Sequence, residues 1–595
     1  MFIDLMIRYL LLSFFCSVVL SVSFAQKSSP RYPQGYFRWP LNLPPQIVAN
    51  MGELRNNHWH MGLDIRTNQK VNQRVYAAAE GYVAYMGIRP LSFGRFIIIN
   101  HPNGYSTLYG HLNDFAPELE AYATEQQYNQ ESWAVELTIP KGKFPVSKGS
   151  VIAFSGTTGG SQGPHVHFEI RDTKTNECLN PLLFGMPLTD NVPPTIARLT
   201  MYDRSISVFE QSPQFFVPKF ANGAYTIPKS PVIKIHNKVS FGLQAYDRIS
   251  GSQNQDGIYS AKLFLDDELK MQFVIDSIGY DETKYMNAHI DYRYHTNAGP
   301  FIQHLSVLPG DRSGVYRNIP GDGVIELNDT EVHRVRIEVE DSYRNMSVMN
   351  FGVQYQPSDN ATDKAIRKSF LPNQENELKE ANFEAYLPEN VLYDKVPVFY
   401  YRTPSSTQYA VSDVYQLNDE SIPLHDDMTI RIKPAKPIPA GGWDKLVIRR
   451  TWRNSTNVRL AKKEGEWLSA GFDDFGYFQA FADVVPPYVS ELGSSDTIIV
   501  RASRIVFTPT DNFGIKSFRA ELDGKWIRFT NDKGRTWIYN FDERCPYGLH
   551  QLKVRVEDVA GNVTEKEWWF KRSAYIPPKK TVKKKTTTKK KTRKK

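Results

Sequence analysis

The feature that most limits the fold of this chain is a long series of short segments in which apolar and polar residues alternate. After about residue 190 these segments recur every ten or so positions, separated by turn residues, as at 335–339, 428–433 and 552–556. A period of two residues is typical of β-strands that bury one face. The chain is therefore predicted to be mainly β.

Weak internal repeats divide this β region. The sequence DNVPPTI at 190–196 resembles DVVPPYV at 483–489, and EDSYRN at 340–345 resembles EDVAGN at 557–562. A Pro-Pro pair opens each unit and a strand ending in Glu-Asp closes it. This arrangement predicts repeated β-sandwich modules of immunoglobulin-like type that serve as spacers or binding modules.

At 595 residues the chain is long enough for about four domains. The region after residue 190 is predicted to hold three modules and one polar linker. The first module is long enough for one sandwich with insertions or for two sandwiches. The predicted bounds are 190–356 for the first module, 357–389 for the linker, 390–484 for the second module and 485–573 for the third.

The start of the chain has the pattern of a secretory signal peptide. Arg8 precedes an apolar run at 9–22, and the small residues Ser23 and Ala25 mark a cleavage site. Residues 1–25 are therefore predicted to be removed on export, with 26–45 as a lead segment; an uncleaved anchor is the alternative. The predicted location is the periplasm, the cell surface or the medium.

Positive charge is concentrated at the other end. Eleven of the 72 Lys and Arg residues lie in 579–595, and without them the formal charge of +8 becomes −3. The folded part is thus near neutral, which argues against a nucleic-acid binder. The polybasic tail, 574–595, is predicted to be disordered and to attract an anionic envelope polymer or lipid, or only to aid solubility.

Three cysteines exclude a disulfide scaffold. Cys16 lies in the predicted signal peptide. Cys178 and Cys545 are either two free thiols or one bridge between domains, and neither is placed for a thiolate metal site. The oligomeric state is left open by the sequence.

Histidines are concentrated in one region, since six of the thirteen fall within 58–167. In an extended segment HWHMGLD at 58–64, His60 and Asp64 share a face and Gly62 leaves room between them. Trp59, Met61, Leu63 and Ile65 occupy the opposite, apolar face. An imidazole and a carboxylate on one face are a plausible half of a zinc site.

A second segment, GPHVHFEI at 163–170, separates His165, His167 and Glu169 from an apolar face in the same way. Two histidines on one strand face are rarely needed in a core, because their ring nitrogens require partners. A third segment, YGHL at 109–112, adds His111. Each segment alone could be an ordinary strand or loop, but their joint occurrence predicts a catalytic centre.

Together the segments resemble the lysostaphin/LytM-type zinc metallopeptidases, the β-lytic family. The resemblance rests on HMGLD at 60–64, YGHL at 109–112 and GPHVHFEIRD at 163–172. It implies an antiparallel β peptidase domain, predicted here at 46–185. It further implies that His60, Asp64 and His167 bind one Zn2+ and that His111 and His165 are the catalytic histidines.

Two neutral imidazoles and one carboxylate leave a coordination position open for water, as catalytic zinc requires. No HExxH is present. His111 and His165 are therefore expected to accept the proton and stabilise the oxyanion, in an order that stays open.

Other residues in this region receive weaker predictions. Glu169 is either a carboxylate that orients a ligand or an exposed strand residue, His58 is expected to line the groove, and His101 to cap the 99–104 turn. The Gly-rich run at 156–161 predicts tight turns before the HxH strand. An insertion at about 113–146, with a helix at 117–127 and a strand at 133–139, is expected to wall the groove.

The predicted function is an exported zinc endopeptidase that cuts the peptides of peptidoglycan. Two alternatives stay open. A non-catalytic LytM-like activator of a cell-wall amidase would use the same groove, although such relatives usually lose metal ligands. A surface adhesin would make the β-sandwich modules the main functional part.

Overall fold

A computed structural model describes residues 32–317, 319–357, 368–493, 498–500 and 502–574, with only the backbone described at 498–500. Within these residues the chain is mostly β, with one β domain followed by β-sheet modules, and this fold class is confirmed. The predicted signal peptide, the first residues of the lead segment and all but the first residue of the polybasic tail lie outside the described residues. No helix in the described part is both long and apolar enough to cross a bilayer.

The N-terminal β domain spans residues 47–184 and contains thirteen strands, one α-helix and a 3-10 helix. The helix α1 covers Pro117–Asn129 and the 3-10 helix Pro181–Phe184. The strands are β1 Ile47–Ala49, β2 Leu54–Arg55, β3 His58–Trp59, β4 Leu63–Arg66, β5 Arg74–Tyr76, β6 Gly81–Ile88, β7 Arg95–Asn100, β8 Tyr105–Phe115, β9 Val135–Thr138, β10 Pro145–Val146, β11 Val151–Ser155, β12 His165–Asp172 and β13 Cys178–Leu179.

The main sheet of this domain has the order β1-β4-β12-β8-β7-β6-β10, and its neighbours pair antiparallel. Val166, Phe168 and Ile170 of β12 are fully buried in one core, together with Leu63 and Ile65 of β4. The alternation in the sequence therefore sets which face of β12 is apolar, and it leaves the histidine face toward a groove.

The first module spans residues 195–355. Its helices are the 3-10 helices Val208–Glu210 and Thr283–Tyr285, α2 Met286–His289 and α3 Tyr292–Thr296. Its strands are β14 Thr195–Asp203, β15 Gln214–Phe216, β16 Lys219–Ala221, β17 Ala224–Thr226, β18 Val232–Ile235, β19 Val239–Tyr246, β20 Ser260–Leu265, β21 Glu268–Val274, β22 Ser277–Ile278, β23 Gln303–His304, β24 Val332–Glu340 and β25 Met346–Tyr355.

These strands form a four-stranded sheet, β15-β14-β19-β23, and a seven-stranded sheet built on β16-β17-β25-β24-β20-β21 with β18 beside β25. Strand β22 instead pairs with β13, so it continues the sheet of the N-terminal domain. The first module and the N-terminal domain are therefore joined by backbone hydrogen bonds as well as by the chain.

The second module spans residues 369–482 and has two five-stranded sheets, β27-β28-β32-β36-β35 and β30-β31-β37-β33-β34, with a separate pair β26-β29. Its strands are β26 Ser369–Phe370, β27 Asn376–Glu380, β28 Phe383–Leu387, β29 Val396–Pro397, β30 Tyr400–Thr403, β31 Val414–Leu417, β32 Pro423–Ile432, β33 Leu446–Trp452, β34 Ser455–Leu460, β35 Lys462–Glu464, β36 Trp467–Asp474 and β37 Gly476–Ala482.

Strands β26 to β28 lie within 357–389, which the sequence analysis assigned to a linker. The structure therefore moves the start of the second module to about residue 369. The physical reason is that β27 is an edge strand with the sequence NELKE, in which only Leu378 is buried. Such a strand has the polar composition of a linker.

The last module spans residues 498–572. It has a five-stranded sheet, β38-β44-β43-β40-β41, and the pair β39-β42. Its strands are β38 Ile498–Val500, β39 Arg504–Phe507, β40 Ile515–Leu522, β41 Lys525–Trp526, β42 Trp537–Asn540, β43 Gly548–Asp558 and β44 Val563–Arg572, and its 3-10 helix is Asp532–Gly534. The immunoglobulin-like class of the modules stays a prediction.

Cys178 and Cys545 are both buried, free thiols. Of the two possibilities left open by the sequence, the structure therefore shows separate thiols.

Trp59 belongs to the N-terminal domain by sequence but packs in the core of the modules. It is fully buried and lies with Met61 in the core shared with the modules, whereas Leu63 and Ile65 lie in the core of the N-terminal domain. Its ring stands 5.5 Å from that of His289 in α2. The apolar face predicted for 59–65 is thus divided between two domains.

Replacement of Trp59 by alanine is expected to destabilise the chain by about 3–5 kcal/mol, because it leaves a cavity in the core that residues 51–61 share with the modules. For a domain of this size the loss corresponds to a fall of about 10 °C in the unfolding temperature. Calorimetry of the full chain measures it. Trp569→Ala is the matched control, since Trp569 is 48% exposed and its loss should change little.

Candidate metal centre

Three adjacent strands bring the predicted site residues together. In the antiparallel pairing of β4 with β12, Asp64 lies opposite His167, and His165 lies opposite Arg66. On the other side of β12, His167 lies opposite Gly110 of β8. Directly opposed residues on paired strands share a face, so the register alone places Asp64 beside His167.

His60 reaches the same point from outside the sheet. The chain is not one continuous strand over 58–65, because β3 ends at Trp59 and β4 begins at Leu63. The break lets residue 62 pass close to β12: a Cβ on Gly62 would lie 2.3 Å from the carbonyl oxygen of Phe168. Glycine is therefore required there, for a close backbone approach.

Three ligand-type atoms converge. His60 Nε2 lies 2.9 Å from Asp64 Oδ1 and 3.0 Å from His167 Nδ1. His167 Nδ1 lies 2.9 Å from the same Asp64 oxygen. The three side chains are buried and form a group that could hold a metal ion.

The remaining ring nitrogens of these histidines are occupied by other partners. His60 Nδ1 lies 2.7 Å from the carbonyl oxygen of Asn50, to which it donates. His167 Nε2 lies 2.8 Å from Glu169 Oε1. Partners of this kind set the tautomer and the ring orientation of a metal-binding histidine. They leave His60 Nε2 and His167 Nδ1 directed at Asp64.

Asp64 and the two histidines differ in their proton affinity. Burial by itself raises the pKa of Asp64, but His60, His165 and His167 outweigh it and hold it well below the ordinary value. Burial lowers the pKa of His60 to about 4. Burial also acts to lower that of His167, yet its bonds to Asp64 and Glu169 raise it to about 9. The carboxylate is therefore charged and His60 neutral.

His111 and His165 lie next to this group. Their ring centroids are 4.7 Å apart, and that of His111 is 6.0 Å from that of His167. His111 Nδ1 donates to the carbonyl oxygen of Thr158 at 2.9 Å, and His165 Nδ1 to that of Gly163 at 2.9 Å. Both rings are thus held at Nδ1, with Nε2 left for other partners.

A local distortion of β8 orients His111. Its φ of +58° is unusual for a residue other than glycine. The pairing of β7 with β8 shifts register between Arg95 and Ile97, so that residues 110 and 111 form a bulge. Bulges are frequent beside active sites, where they redirect a side chain.

Glu169 is fully buried. Of the two roles that the sequence left open, an exposed strand residue is therefore excluded, and a carboxylate that orients a ligand remains. Besides His167, Glu169 accepts a hydrogen bond from Arg171 Nε at 2.6 Å. It also accepts one from the hydroxyl of Tyr280 in the first module. Burial would raise the pKa of Glu169, but Arg171 and His167 hold it at about 2.

Arg55 is a site residue that the sequence analysis missed. Its Nη2 donates to Asp64 Oδ2 at 2.5 Å, so the oxygen that faces away from the histidines is also bound. Arg55 lies opposite His58 in the hairpin of β2 and β3. Only the pairing of Arg55 with His58 could have indicated this role from sequence. The hairpin strands have two residues each, too few for an alternating pattern to predict the pairing.

The group opens into a groove of about 1170 Å³. Its lining includes His58, as predicted, together with Arg55, Phe93 and residues 160–164. Tyr280 and Phe301 of the first module complete the wall. The module is therefore more than a spacer, since it supplies part of the groove.

The insertion at 113–146 does not line this groove, contrary to the expectation from sequence. It contains a helix and a strand as expected, α1 and β9, but α1 packs on the last module. Arg528 donates to Gln127 Oε1 at 2.6 Å, and Tyr128 stacks edge-on with Trp526 at 5.1 Å. The helix α1 therefore forms a contact between the N-terminal domain and the last module instead of a wall of the groove.

His101 also differs from its prediction. Its ring bridges the carbonyl oxygen of Glu80, 2.7 Å from Nδ1, and Thr107 Oγ1, 2.9 Å from Nε2. It thus links β8 to the residue before β6, across the end of β7, instead of capping the 99–104 turn with its ring.

The last module contacts the loop at 157–161, part of which lines the groove, through Lys533. Its ammonium donates to the carbonyl oxygens of Thr157, Gly159 and Ser161 at 2.8–3.0 Å. The neighbouring Asp532 accepts a hydrogen bond from Gly159 N at 2.8 Å. Because Thr158 in this 157–161 loop holds the ring of His111, the last module supports the site from 370 residues away in sequence.

Two family models match the chain. Residues 58–127 match Peptidase family M23, and residues 367–483 match the Zu5-like domain. The first match contains His60, Asp64 and His111. The second covers the second module, including the strands in the predicted linker.

Curated relatives match about a quarter of the chain. The chain is 28% identical over 142 residues to the cell division protein DipM of Caulobacter vibrioides, covering 24% of this chain and 19% of that protein. It is 32% identical over 128 residues to the DD-carboxypeptidase/endopeptidase Mpg of Neisseria meningitidis serogroup B, covering 22% and 23%.

A third relative is the murein hydrolase activator NlpD of Salmonella dublin, 29% identical over 160 residues, with 27% of this chain and 34% of that protein covered. The chain thus spans about a fifth of the length of the first two relatives and a third of the last.

Replacement of Lys533 by methionine is expected to loosen the 157–161 loop, because three carbonyl oxygens lose a charged donor. Amide hydrogen exchange in this loop should rise about three- to tenfold. Exchange in β12 should stay unchanged. Lys516→Met is the matched control, since Lys516 lies in the same module and pairs with Glu557. Unchanged loop exchange in the Lys533 variant would contradict this account of the contact.

Proposed function

We propose that this chain, which carries a peptidase family M23 domain, is an exported zinc metalloendopeptidase that hydrolyses peptide bonds in peptidoglycan stem peptides or cross-links. The observation that carries the proposal is the convergence of His60, Asp64 and His167 at one end of an open groove, with His111 and His165 beside them.

The residues fit a catalytic zinc ion. Two imidazole nitrogens and one carboxylate oxygen are the donor set of a three-ligand zinc site, which keeps a position open. His165 supports the fit, because its Nε2 is buried and has no hydrogen-bond partner among the described residues. It lies 3.4 Å from Asp64 Oδ1. When bound, zinc would polarise the scissile carbonyl and a water molecule.

His111 and His165 are the groups that move the proton. Each donates from Nδ1 to a backbone carbonyl, so in the neutral ring Nε2 carries the lone pair. Burial lowers the pKa of His111 to about 3, which keeps this ring neutral at neutral pH, with the lone pair of Nε2 unprotonated. One of the two accepts the proton of the attacking water at Nε2. To stabilise the carbonyl oxygen, the other must carry a proton on Nε2, because its Nδ1 proton is already donated to the backbone.

Peptidoglycan as the substrate is supported by the relatives, of which one is named a DD-carboxypeptidase/endopeptidase and another a murein hydrolase activator. An open groove of this size suits an extended peptide. Export is supported by the signal-peptide pattern at 1–25. The polybasic tail would hold the protein at an anionic envelope polymer or lipid.

The activator relative gives the second candidate function, a non-catalytic stimulator of a cell-wall amidase. The geometry favours the enzyme, because an activator needs a groove but has no need of three converging ligand atoms and two oriented histidines. Here all five side chains are present and their second nitrogens or oxygens have partners.

The test is the release of peptides from purified sacculi by the zinc-loaded chain. New amine termini should appear, and His165→Ala should lower their rate of appearance by about 10²–10⁴-fold while zinc stays bound, because a proton-transfer group is lost. His236→Ala is the control, since His236 is exposed and lies in the first module. An inert zinc-loaded protein that instead stimulates an amidase would establish the activator.

Glu169→Gln tests how the metal ligands are held. An amide in place of this buried carboxylate weakens the bond to His167, and zinc affinity is expected to fall about 10–100-fold. Competition with a chromophoric chelator measures it. Glu136→Gln is the control, because Glu136 pairs with Arg89 on the surface. Equal zinc affinities for the two variants would show that Glu169 does not hold His167 in place.

A further inference from the structure

Two clusters of aspartates lie at domain junctions, away from the groove. The first acidic cluster is Asp190, Asp247 and Asp341, and the second is Asp483, Asp511 and Asp558. In each cluster, one carboxylate oxygen from every member lies within 4.8 Å of the others. Neither cluster contributes to the groove.

The two clusters are the same structure built twice. Asp190 and Asp483 each begin a D-x-V-P-P sequence, and Asp341 and Asp558 each belong to an E-D-x-x-x-N sequence. These are the internal repeats seen in the sequence.

The hydrogen bonds around the clusters correspond residue by residue. The side chain of Asn345 donates to Asp341 Oδ2 at 2.7 Å and to the carbonyl oxygen of Asp190 at 3.3 Å. In the second cluster, Asn562 donates to Asp558 Oδ2 at 2.8 Å and to the carbonyl oxygen of Asp483 at 2.9 Å. The two repeats therefore share the same hydrogen-bonded geometry, and not only a similar number of acidic residues.

Several carboxylate oxygens in the clusters have no donor. Asp190 Oδ2, Asp247 Oδ1 and Asp483 Oδ2 are buried and make no hydrogen bond to any described residue. The exposed fractions of these three side chains are 7%, 3% and 0%. Buried polar atoms are nearly always satisfied, so unpartnered oxygens at the same place in two modules indicate a missing ligand.

Burial and like charge act together on the clusters. Burial, with the charges of Asp341, Asp190 and Asp256, raises the pKa of Asp247 to about 8. Burial, with Asp511 and Asp558, likewise raises the pKa of Asp483. Burial and like charge therefore disfavour the bare carboxylate form of Asp247 and Asp483, and a bound cation would relieve this cost.

We propose that each acidic cluster binds a divalent cation of the calcium type at the junction that it occupies. The donors are all carboxylate oxygens, and Ca2+ prefers such hard ligands at 2.3–2.6 Å in flexible arrangements completed by carbonyl oxygens and water. The three oxygens of each cluster lie within 4.8 Å of one another, close enough for one ion of this size to contact all of them.

The position of the clusters gives the bound cation a structural role. Asp190 lies between the N-terminal domain and β14, whereas Asp247 and Asp341 lie at the near end of the first module. Asp483 joins the second module to the last in the same way. A cation at each site fixes the angle between consecutive domains. The angle between the second module and the last module determines where Lys533 lies relative to the 157–161 loop.

The experiment is calorimetric titration of the full chain with CaCl2, after removal of metal and reloading with one equivalent of zinc. Two Ca2+ ions per chain are expected, with affinities of about 10⁻⁴–10⁻³ M if the sites resemble extracellular modules. MgCl2 is titrated in parallel and is expected to bind more weakly.

Asp247→Asn and Asp511→Asn should each remove one Ca2+, and the double variant both. In calcium-free buffer these variants should unfold at the wild-type temperature or above it. The amide removes one of three like charges, and its NH2 group can donate to a neighbouring carboxylate. Calcium should then raise the unfolding temperature of the wild type more than that of either variant. Asp444→Asn, at an exposed position outside the clusters, should keep both ions.

Three results would overturn the proposal. The first is the absence of calcium binding up to about 10 mM, roughly ten times the weak end of known module affinities. The second is the retention of two calcium ions by the double variant. The third is the binding of Mg2+ in place of Ca2+. Since the readout is calcium stoichiometry, failure here leaves the peptidase proposal untouched. Failure on sacculi likewise leaves the calcium proposal intact.

Discussion

The structure of the site depends on one constraint: three buried polar side chains can be held about 3 Å apart only if every other polar atom on them has a partner. The carbonyl oxygen of Asn50, the carboxylate of Glu169 and the guanidinium of Arg55 meet this requirement for His60, His167 and Asp64. These partners in turn need support, which comes from outside the sheet that carries the ligands.

That support makes the modules part of the centre. The side chain of Asn50 is fixed by both backbone groups of Gly257 in the first module, at 2.8 Å each, and Glu169 by Tyr280. The last module holds the 157–161 loop through Lys533. The groove is therefore lined by the N-terminal domain and the first module and supported by the last module, so its shape depends on the angles between domains. The acidic clusters lie at two of the junctions that set those angles.

Sequence alone predicted the positions of the five central side chains in the N-terminal domain. Alternation set which residues of β12 and β4 face the core, and the paired histidines marked the other face. What sequence missed has a common physical cause. Arg55, Tyr280 and Lys533 act across turns or across more than a hundred residues, and no periodic pattern connects them to their partners. β27 was missed because an edge strand has a linker-like composition.

The sequence by itself determined that the chain is mainly β and that Asp64, His165 and His167 lie on the polar faces of their strands, because side-chain direction follows from strand periodicity. His60 lies between two strands, so periodicity did not set its direction. Only the tertiary structure decided that these faces meet, since the register of β4 against β12 and the bulge at His111 depend on pairing between distant strands. It also decided the surroundings of the site. Burial of Glu169, the place of α1 under the last module and the convergence of the aspartates all arise from contacts between domains.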